Sequence, residues 1–190
     1  RRRFGAWRLL GRHHQCANAN PEMRIMQTST RARLALTAIG GATLLSALLG
    51  SSITARNQAW YRTLRKSALN PPNWVFGPVW TVLYGLSALS AARVVLAPRS
   101  AARVRALSLW ALQQALNAAW TPLFFGKQRP RAALADLALL WTALGAYRDA
   151  AGRVDRLAAR LVTPYIAWVS FAAYLNERVV RENPSRALPA

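Results

Sequence analysis

The chain contains one cysteine, Cys16, and two histidines, His13 and His14, in 190 residues. A single cysteine excludes an intrachain disulfide and a thiolate metal cluster. Both histidines precede the first long apolar stretch, so the apolar stretches lack the commonest ligands of haem iron and zinc. We find no Ser-His-Asp set, carboxylate pair, phosphate-binding loop or metal-ligand spacing. The sequence therefore predicts no conventional catalytic site, no metal site and no required cofactor.

Acidic residues are also scarce, with six Asp and Glu against 26 Lys and Arg, for a net charge of +20. Such a charge is typical of nucleic-acid binders, which carry a basic face on a soluble domain. Here the cations form short clusters between stretches almost free of charge, at 34–55, 67–92, 106–126, 132–147 and 161–176. Each stretch approaches the roughly 20 residues that cross a bilayer as a helix. We therefore expect an integral, multi-pass membrane protein whose cations face lipid headgroups, and no nucleic-acid partner.

These stretches predict an all-α bundle of five transmembrane helices, at about 34–55, 78–96, 103–125, 130–148 and 157–181. The later connections are short, so sequential helices should be antiparallel neighbours. The one longer connection, 56–77, joins the first two helices. The absence of an internal repeat argues against an inverted-repeat transporter. Cations flank both sides of the spans, so the sequence sets neither the orientation nor the membrane, whether bacterial envelope or organelle.

The two ends of the chain are assigned separately from the bundle at 34–182. Residues 1–33 form a basic segment, which we expect to be disordered, processed or the product of a misplaced start, since Met23 and Met26 lie just before the first span. Residues 183–190 are expected to be a short tail.

An aromatic, proline-rich collar, NPPNWVFGPVWTVLY, covers residues 70–84. Trp and Tyr favour the headgroup level, and Pro is tolerated where helices begin. The collar therefore indicates a helix entering the membrane, with Pro78 at its start, and suggests where a ligand is handled.

Polar and aromatic side chains recur at helical spacing within the spans and so share faces: Trp110, Gln113, Asn117 and Trp120; Tyr165, Trp168, Ala172 and Asn176; Trp80 and Tyr84. Amides exposed to lipid are costly, so they should face the bundle interior. One interpretation is interhelical hydrogen bonding, worth about 0.6 kcal/mol each, with Trp110 as an interface anchor. The alternative is a flat apolar slot with polar handles, suited to a planar aromatic ligand.

Asp136 is the only acid well inside a span, and an intramembrane carboxylate is a candidate functional group. We favour the plainer interpretation, an ion pair or hydrogen bond near a helix start. Pro122 and Pro164 are expected to kink or open their helices, and such breaks often border a cavity.

The residues also resemble a known family. The segments that carry the resemblance are WYRTLRKSALNPPNWVFGPVWTVLY (60–84), NAAWTPLFFG (117–126), ALADLALLW (133–141) and ARLVTPYIAWVSFAAYLN (159–176). They identify the chain as similar to the TspO/MBR family, the translocator proteins also called peripheral-type benzodiazepine receptors. The resemblance implies five transmembrane helices, usually in a homodimer, and binding of porphyrins such as protoporphyrin IX, with the protein acting as sensor or carrier.

The resemblance also implies site residues. Trp80 and Trp168 match the two family tryptophans that face the ligand, and Asn117 matches a pocket amide. The remaining expected ligand-binding residues are Tyr84, Gln113, Trp60 and Tyr165. Arg62, Arg65 or Lys66 are expected to pair with porphyrin propionates. Two alternatives stay open: light-dependent porphyrin degradation, attributed to some members, and a structural or regulatory membrane role.

The chain departs from the family pattern at two places. The family usually reads Leu-x-Lys-Pro-x-Trp before the paired prolines, whereas residues 64–69 here read LRKSAL. We therefore expect a looser cover over the pocket. Glu177 and Arg178 follow Asn176 where animal members carry the tyrosines of a cholesterol motif, so cholesterol is not the expected ligand.

Overall fold

The structure, a computed structural model, describes residues 21–184, and the predictions for residues 1–20 and 185–190, including His13, His14 and Cys16, lie outside them. The described residues form seven α-helices and one π-helical segment, without a strand in that range. The elements are α1 (Pro21–Arg56), α2 (Gln58–Arg62), α3 (Asn73–Leu96), α4 (Ala101–Thr121), the π segment (Pro122–Gly126), α5 (Pro130–Gly152), α6 (Arg156–Leu161) and α7 (Thr163–Glu182).

Two helices begin earlier than the sequence suggested. Helix α1 starts at Pro21, so it includes part of the segment predicted to be disordered or processed. Helix α3 starts at Asn73, with Pro72 as its N-cap, so the collar forms its first turns and Pro78 lies inside it. Proline has no N–H to donate, so Pro78 makes no α-helical hydrogen bond as a donor. The residue before it, Gly77, accepts at its carbonyl from the Thr81 hydroxyl at 2.9 Å. The expectation that the helix begins at Pro78 was wrong.

The five longer helices, α1, α3, α4, α5 and α7, form an antiparallel bundle. Helix α5 packs against α4 and α7, while α1 packs against α3 and α4, and α3 also contacts α7. The order around the bundle is therefore α1, α3, α7, α5, α4. The connection at residues 57–72, which includes α2, covers one end, which we call the near end; the loops between α3 and α4 and between α5 and α6 form the far end.

The π segment interrupts the path from α4 to α5. Pro122 cannot continue the α-helical hydrogen bonds as a donor, and the chain widens so that the Lys127 N–H donates to the Pro122 carbonyl at 2.7 Å. Gln128 then adopts a positive φ of 53°, and α5 begins at Pro130. Both Phe124 and Phe125 of the widened turn are buried. The expected break at Pro122 is present, and α6 and α7 are likewise separated at Val162 just before Pro164.

Polar contacts hold the far end together. The buried Ser90 hydroxyl donates to the Ala158 carbonyl at 2.7 Å and accepts from the Tyr147 hydroxyl at 2.6 Å. Asp155 caps α6 by accepting from the Ala158 N–H at 2.8 Å and pairs with Arg93 at 2.7 Å. These contacts join α3, α5 and α6.

Membrane character is visible in two of the described helices. Over Ala32–Arg56 and Asn73–Leu96 the chain is long and apolar enough to cross a membrane, judged by length and composition. Several of their leucines point outward: Leu44 and Leu48 of α1 are 60% and 58% exposed, and Leu89 of α3 is 52% exposed. Helices α4, α5 and α7 instead carry buried polar side chains, which lowers their hydropathy.

Replacing Asp155 should separate the capping and charge contributions to stability at the far end. Asp155→Asn keeps an oxygen for the cap but removes the ion pair with Arg93, whereas Asp155→Ala removes both and should lower the melting temperature more. The cap alone is worth about 1 kcal/mol.

The same pair predicts a pH dependence. Hydrogen bonding to Arg93 holds the pKa of Asp155 below its ordinary value. Because the folded pKa lies below the unfolded value of about 3.9, the stabilisation is present above that pH and is lost as the pH falls through the folded pKa. As the pH falls through this range, the melting temperature of Asp155→Asn should therefore decrease less than that of the wild type. An identical dependence of melting temperature on pH in both proteins would contradict the assignment.

Candidate functional site

A cavity of about 610 Å³ lies inside the near end of the bundle. Its lining comes from α1, α3, α4, the π segment, α7 and the 57–72 connection. Aromatic side chains dominate the lining: Tyr61, Phe76, Trp80, Tyr84, Trp120, Phe124, Phe125 and Trp168. Amides line it at Gln58, Asn70, Asn73, Asn117 and Asn176, and aliphatic hydroxyls at Ser51, Thr54, Thr81 and Thr121. An apolar cavity of this size with a few polar groups is typical of a ligand site.

The α3 wall is built from Trp80 and Tyr84, one helical turn apart. Their ring centroids are 5.3 Å apart with an interplanar angle of 34°. Asn117 donates to the Tyr84 hydroxyl at 2.9 Å, which ties this wall to α4. The fully buried ring of Tyr165 stands edge-on to Trp80 at 5.8 Å. Trp80 is therefore held in place by neighbours on α3 and α7 while it lines the cavity.

The α7 wall contains Trp168 and Asn176. Trp168 packs against Phe76 of α3 at 5.9 Å, with the rings at 71°. The Asn176 amide donates to the Pro130 carbonyl at 2.7 Å, and its oxygen accepts from the Trp120 indole at 3.4 Å. For Asn176 the structure therefore shows interhelical hydrogen bonding, one of the two interpretations left open by the sequence.

A third wall comes from residues that the site prediction did not include. Trp120 and Phe124 stack with centroids 5.1 Å apart and an 18° angle, and Phe125 meets Trp120 edge-on at 6.0 Å. Tyr61 of α2 packs on Phe125 at 5.4 Å. The segment WTPLFFG at residues 120–126 could have indicated this wall in the sequence, because its proline and adjacent phenylalanines are typical of an irregular aromatic turn.

The 57–72 connection covers the cavity and is tied to α7. Asn183 accepts from the Arg65 N–H at 3.1 Å and donates to the Arg65 carbonyl at 2.9 Å. The Tyr61 hydroxyl donates to the Asn70 side chain at 3.1 Å. The looser cover expected from residues 64–69 is thus replaced by a hydrogen-bonded one, and Asn183, predicted to belong to the tail, is buried in it.

The cations expected to meet propionates are not part of the cavity lining. The Lys66 ammonium donates to the carbonyls of Tyr61 and Leu64 at 2.9 Å each and lies 4.8 Å from the Tyr61 ring centroid. Burial lowers the pKa of Lys66 and raises the pKa of the Tyr61 phenol. Arg62 and Arg65 are exposed on the outer face of the connection.

Three predicted site residues lie outside the cavity lining. Gln113 is fully buried one turn beyond Asn117, where its amide donates to Ser87 and Gln114. Tyr165 supports Trp80 from behind. Trp60 packs edge-on to Phe124 at 5.6 Å and borders a shallow outer depression. Consecutive residues of a helix point about 100° apart, so Tyr61 enters the cavity lining and Trp60 does not. Trp80, Tyr84, Asn117 and Trp168 do line it.

Two further side chains differ from their expected roles. Asp136 is buried, its Oδ2 atom has no hydrogen-bond partner, and no cation among residues 32–184 forms an ion pair with it, so the expected pairing is not found in that range. Trp110 is buried rather than anchored at an interface, and its indole donates to Ser87 at 3.1 Å. Both side chains contribute to the polar interior.

Comparison with known proteins is consistent with this architecture. The sequence model described as the TspO/MBR family matches residues 35–181. The chain is 39% identical to the Tryptophan-rich protein TspO of Chlorobaculum tepidum, over 76% of this chain and 92% of that protein. It is 40% identical to the Translocator protein of Sus scrofa, over 73% and 86% of the two chains. The Tryptophan-rich sensory protein of Cereibacter sphaeroides is also 40% identical, over 67% and 78%.

Removing the Asn183 side chain should loosen the cover of the cavity. In Asn183→Ala the Arg65 N–H and carbonyl lose their partner, so hydrogen exchange across residues 57–72 should accelerate while exchange in α5 is unchanged. Asn57→Ala is the matched control, since its amide bonds only to the Ile53 carbonyl at the end of α1. Equal exchange in the connection of Asn183→Ala and the wild type would contradict the role of this clamp.

Proposed function

The chain belongs to the TspO/MBR family of membrane proteins, and we propose that it binds porphyrins or related planar tetrapyrroles in the cavity between its helices. The observation that carries the proposal is the aromatic lining of the 610 Å³ cavity. A flat conjugated ring gains most from indole and phenyl faces that are already held in place. Trp80 and Trp168 are the proposed stacking partners.

The polar groups of the cavity suit a ligand with few hydrogen-bonding atoms. Asn117 has one amide proton engaged with Tyr84, which leaves its other donor and its oxygen for a ligand. The described residues, 21–184, contain neither His nor Cys. We therefore propose binding by stacking, without iron ligation by either residue type. Lys66 is engaged with backbone carbonyls, so Arg62 or Arg65 would meet propionates at the rim.

The surface supports a multi-pass arrangement in the bilayer, which is part of the proposal. Exposed leucines and valines lie on the outside of the long helices, among them Leu45, Val82, Leu89, Leu112 and Leu139. Buried amides and hydroxyls lie inside, as expected where lipid cannot satisfy them. We extend the two clearly apolar helices to five spans by adding α4, α5 and α7, whose polar side chains Gln113, Asp136 and Asn176 are buried in the bundle. We propose a homodimer as the assembled form.

A sensor or carrier role fits a protein that holds a ligand without a catalytic set. One relative carries the name Tryptophan-rich sensory protein and another the name Translocator protein. In this chain the cavity is formed by side chains locked in hydrogen bonds and aromatic contacts. Such a preformed site can hold a tetrapyrrole reversibly, which both roles require.

Removing the two proposed stacking rings should weaken porphyrin binding. Protoporphyrin IX is titrated into purified protein and followed by its own absorbance and fluorescence, because the double variant lacks two of the eight tryptophans and its intrinsic fluorescence is not comparable with that of the wild type. Each ring contributes about 0.5–1.5 kcal/mol beyond its buried area. The dissociation constant of the Trp80→Ala, Trp168→Ala double variant should therefore rise by roughly tenfold or more.

Trp141→Ala is the matched control, because Trp141 is 49% exposed on the outside of α5 and bonds to Ser170. Its affinity should equal that of the wild type, and thermal melting checks that all variants fold. Unchanged affinity in the double variant would refute this site. Displacement of porphyrin by cholesterol at similar concentration would refute the proposed ligand preference.

A further inference from the structure

We propose that planar apolar ligands enter the cavity sideways from the lipid phase, through a slot between the near-end halves of α1 and α3. The slot is defined by Leu48 and Ser51 on α1 and by Gly77 and Thr81 on α3. The inference rests on the proposed function, because it names the route to that same site.

The slot lies where the lining of the cavity is exposed. All four slot residues line the cavity and all four are exposed, Leu48 to 58%. Every exposed residue of the lining belongs to α1 or α3, whereas the lining residues of the other elements are buried or half-buried. The cavity therefore opens between α1 and α3, on the side where both helices are long and apolar enough to lie against lipid.

The other walls of the cavity are closed. The lining residues of α4, the π segment and α7 are largely buried, including Asn117, Phe124, Phe125, Leu175 and Asn176. The near end is covered by the 57–72 connection, in which Tyr61 and Leu64 are buried and Arg65 is clamped to Asn183. Entry from water would need these hydrogen bonds to break, whereas entry through the slot would not.

The packing of α1 explains why the slot lies there. Ile39, toward the far end, is buried in the main core with Leu83 of α3. Closer to the near end α1 leans on α4, since a Cβ added at Gly50 would lie 3.5 Å from the Thr121 hydroxyl. On the facing stretch of α3, Gly77 has no side chain, and a Cβ added there would meet nothing within 4 Å. The two helices thus pack together at one end and leave an opening at the other.

The chemistry of the slot suits an apolar ligand crossing from hydrocarbon. The Ser51 hydroxyl donates to the Leu48 carbonyl at 3.0 Å, and the Thr81 hydroxyl donates to the Gly77 carbonyl at 2.9 Å. Both donors are satisfied within their own helix, so neither loses a hydrogen bond when an apolar ring passes. A polar slot without such internal bonds would be costly against lipid.

Filling the slot should slow both the entry and the exit of the ligand. In Gly77→Phe the new ring has space on α3 and lies across the opening. Gly85→Phe is the matched control, because its added Cβ also meets nothing within 4 Å but Gly85 does not line the cavity. Protoporphyrin IX preloaded in vesicles is mixed with protein in vesicles, and transfer is followed in both directions.

For Gly77→Phe we expect the association rate and the dissociation rate each to fall by roughly tenfold, because a barrier on the path slows passage in both directions. Gly85→Phe should match the wild type. Unchanged rates in Gly77→Phe would overturn the route. A weaker affinity with an unchanged association rate would also overturn it, since the residue would then shape the bound state instead of the path.

A second measurement is independent of the ligand. In a Cys16→Ser background, a bimane fluorophore is attached at Ser51→Cys or, as control, at Ala68→Cys on the exposed connection. The Ser51 label should be quenched by nitroxide-labelled acyl chains and protected from aqueous iodide, with the reverse at Ala68. Quenching at Ser51 by iodide alone would overturn the lipid-facing slot. A wild type that binds no porphyrin would refute the proposed function, while these labels would still report what the slot faces.

Discussion

The side-chain amide of Asn176 donates to the Pro130 carbonyl at 2.7 Å and accepts from the Trp120 indole at 3.4 Å. It thereby joins the end of α4, the start of α5 and α7 at the cavity wall. In a buried apolar setting each of these groups would cost free energy if left unpaired. The widened turn at Pro122–Gly126 lies between the two partners, so this amide holds Phe124 and Phe125 in place together with the ring contacts of Trp60, Tyr61 and Trp120.

The two ends of the bundle are built from different interactions. At the far end, short hydrogen bonds and an ion pair join α3, α5 and α6 through Ser90, Tyr147 and Asp155. At the near end, aromatic contacts predominate and leave a cavity. Aromatic faces tolerate several neighbours, because their attraction depends less on direction than that of a hydrogen bond. The chain therefore combines a tightly specified end with one that can accommodate a guest.

For identifiable reasons, the sequence predicted the all-helical architecture and four residues of the cavity lining, Trp80, Tyr84, Asn117 and Trp168. Uncharged stretches between Arg clusters located the long helices, and the cost of exposing amides to lipid placed Asn117 and Asn176 inside. Helical periodicity gave Trp80 and Tyr84 one face. The sequence did not predict which side of the short helix α2 faces the cavity: Tyr61 lines it, whereas its neighbour Trp60 does not.

The remaining features depend on tertiary packing. Nothing in periodicity distinguishes Gln113, below the cavity, from Asn117, on its lining, because both share one stripe of α4. The π segment could be anticipated only as a break at Pro122, since its turn packs against α1 and α2, which are distant in sequence. The clamp of Asn183 on Arg65 joins residues far apart in sequence. The far end is held together by Ser90, Tyr147 and Asp155, away from the cavity. Natural selection can therefore alter ligand preference by exchanging aromatic side chains of the lining while these contacts stay in place, so ligand range can diverge between relatives faster than the fold.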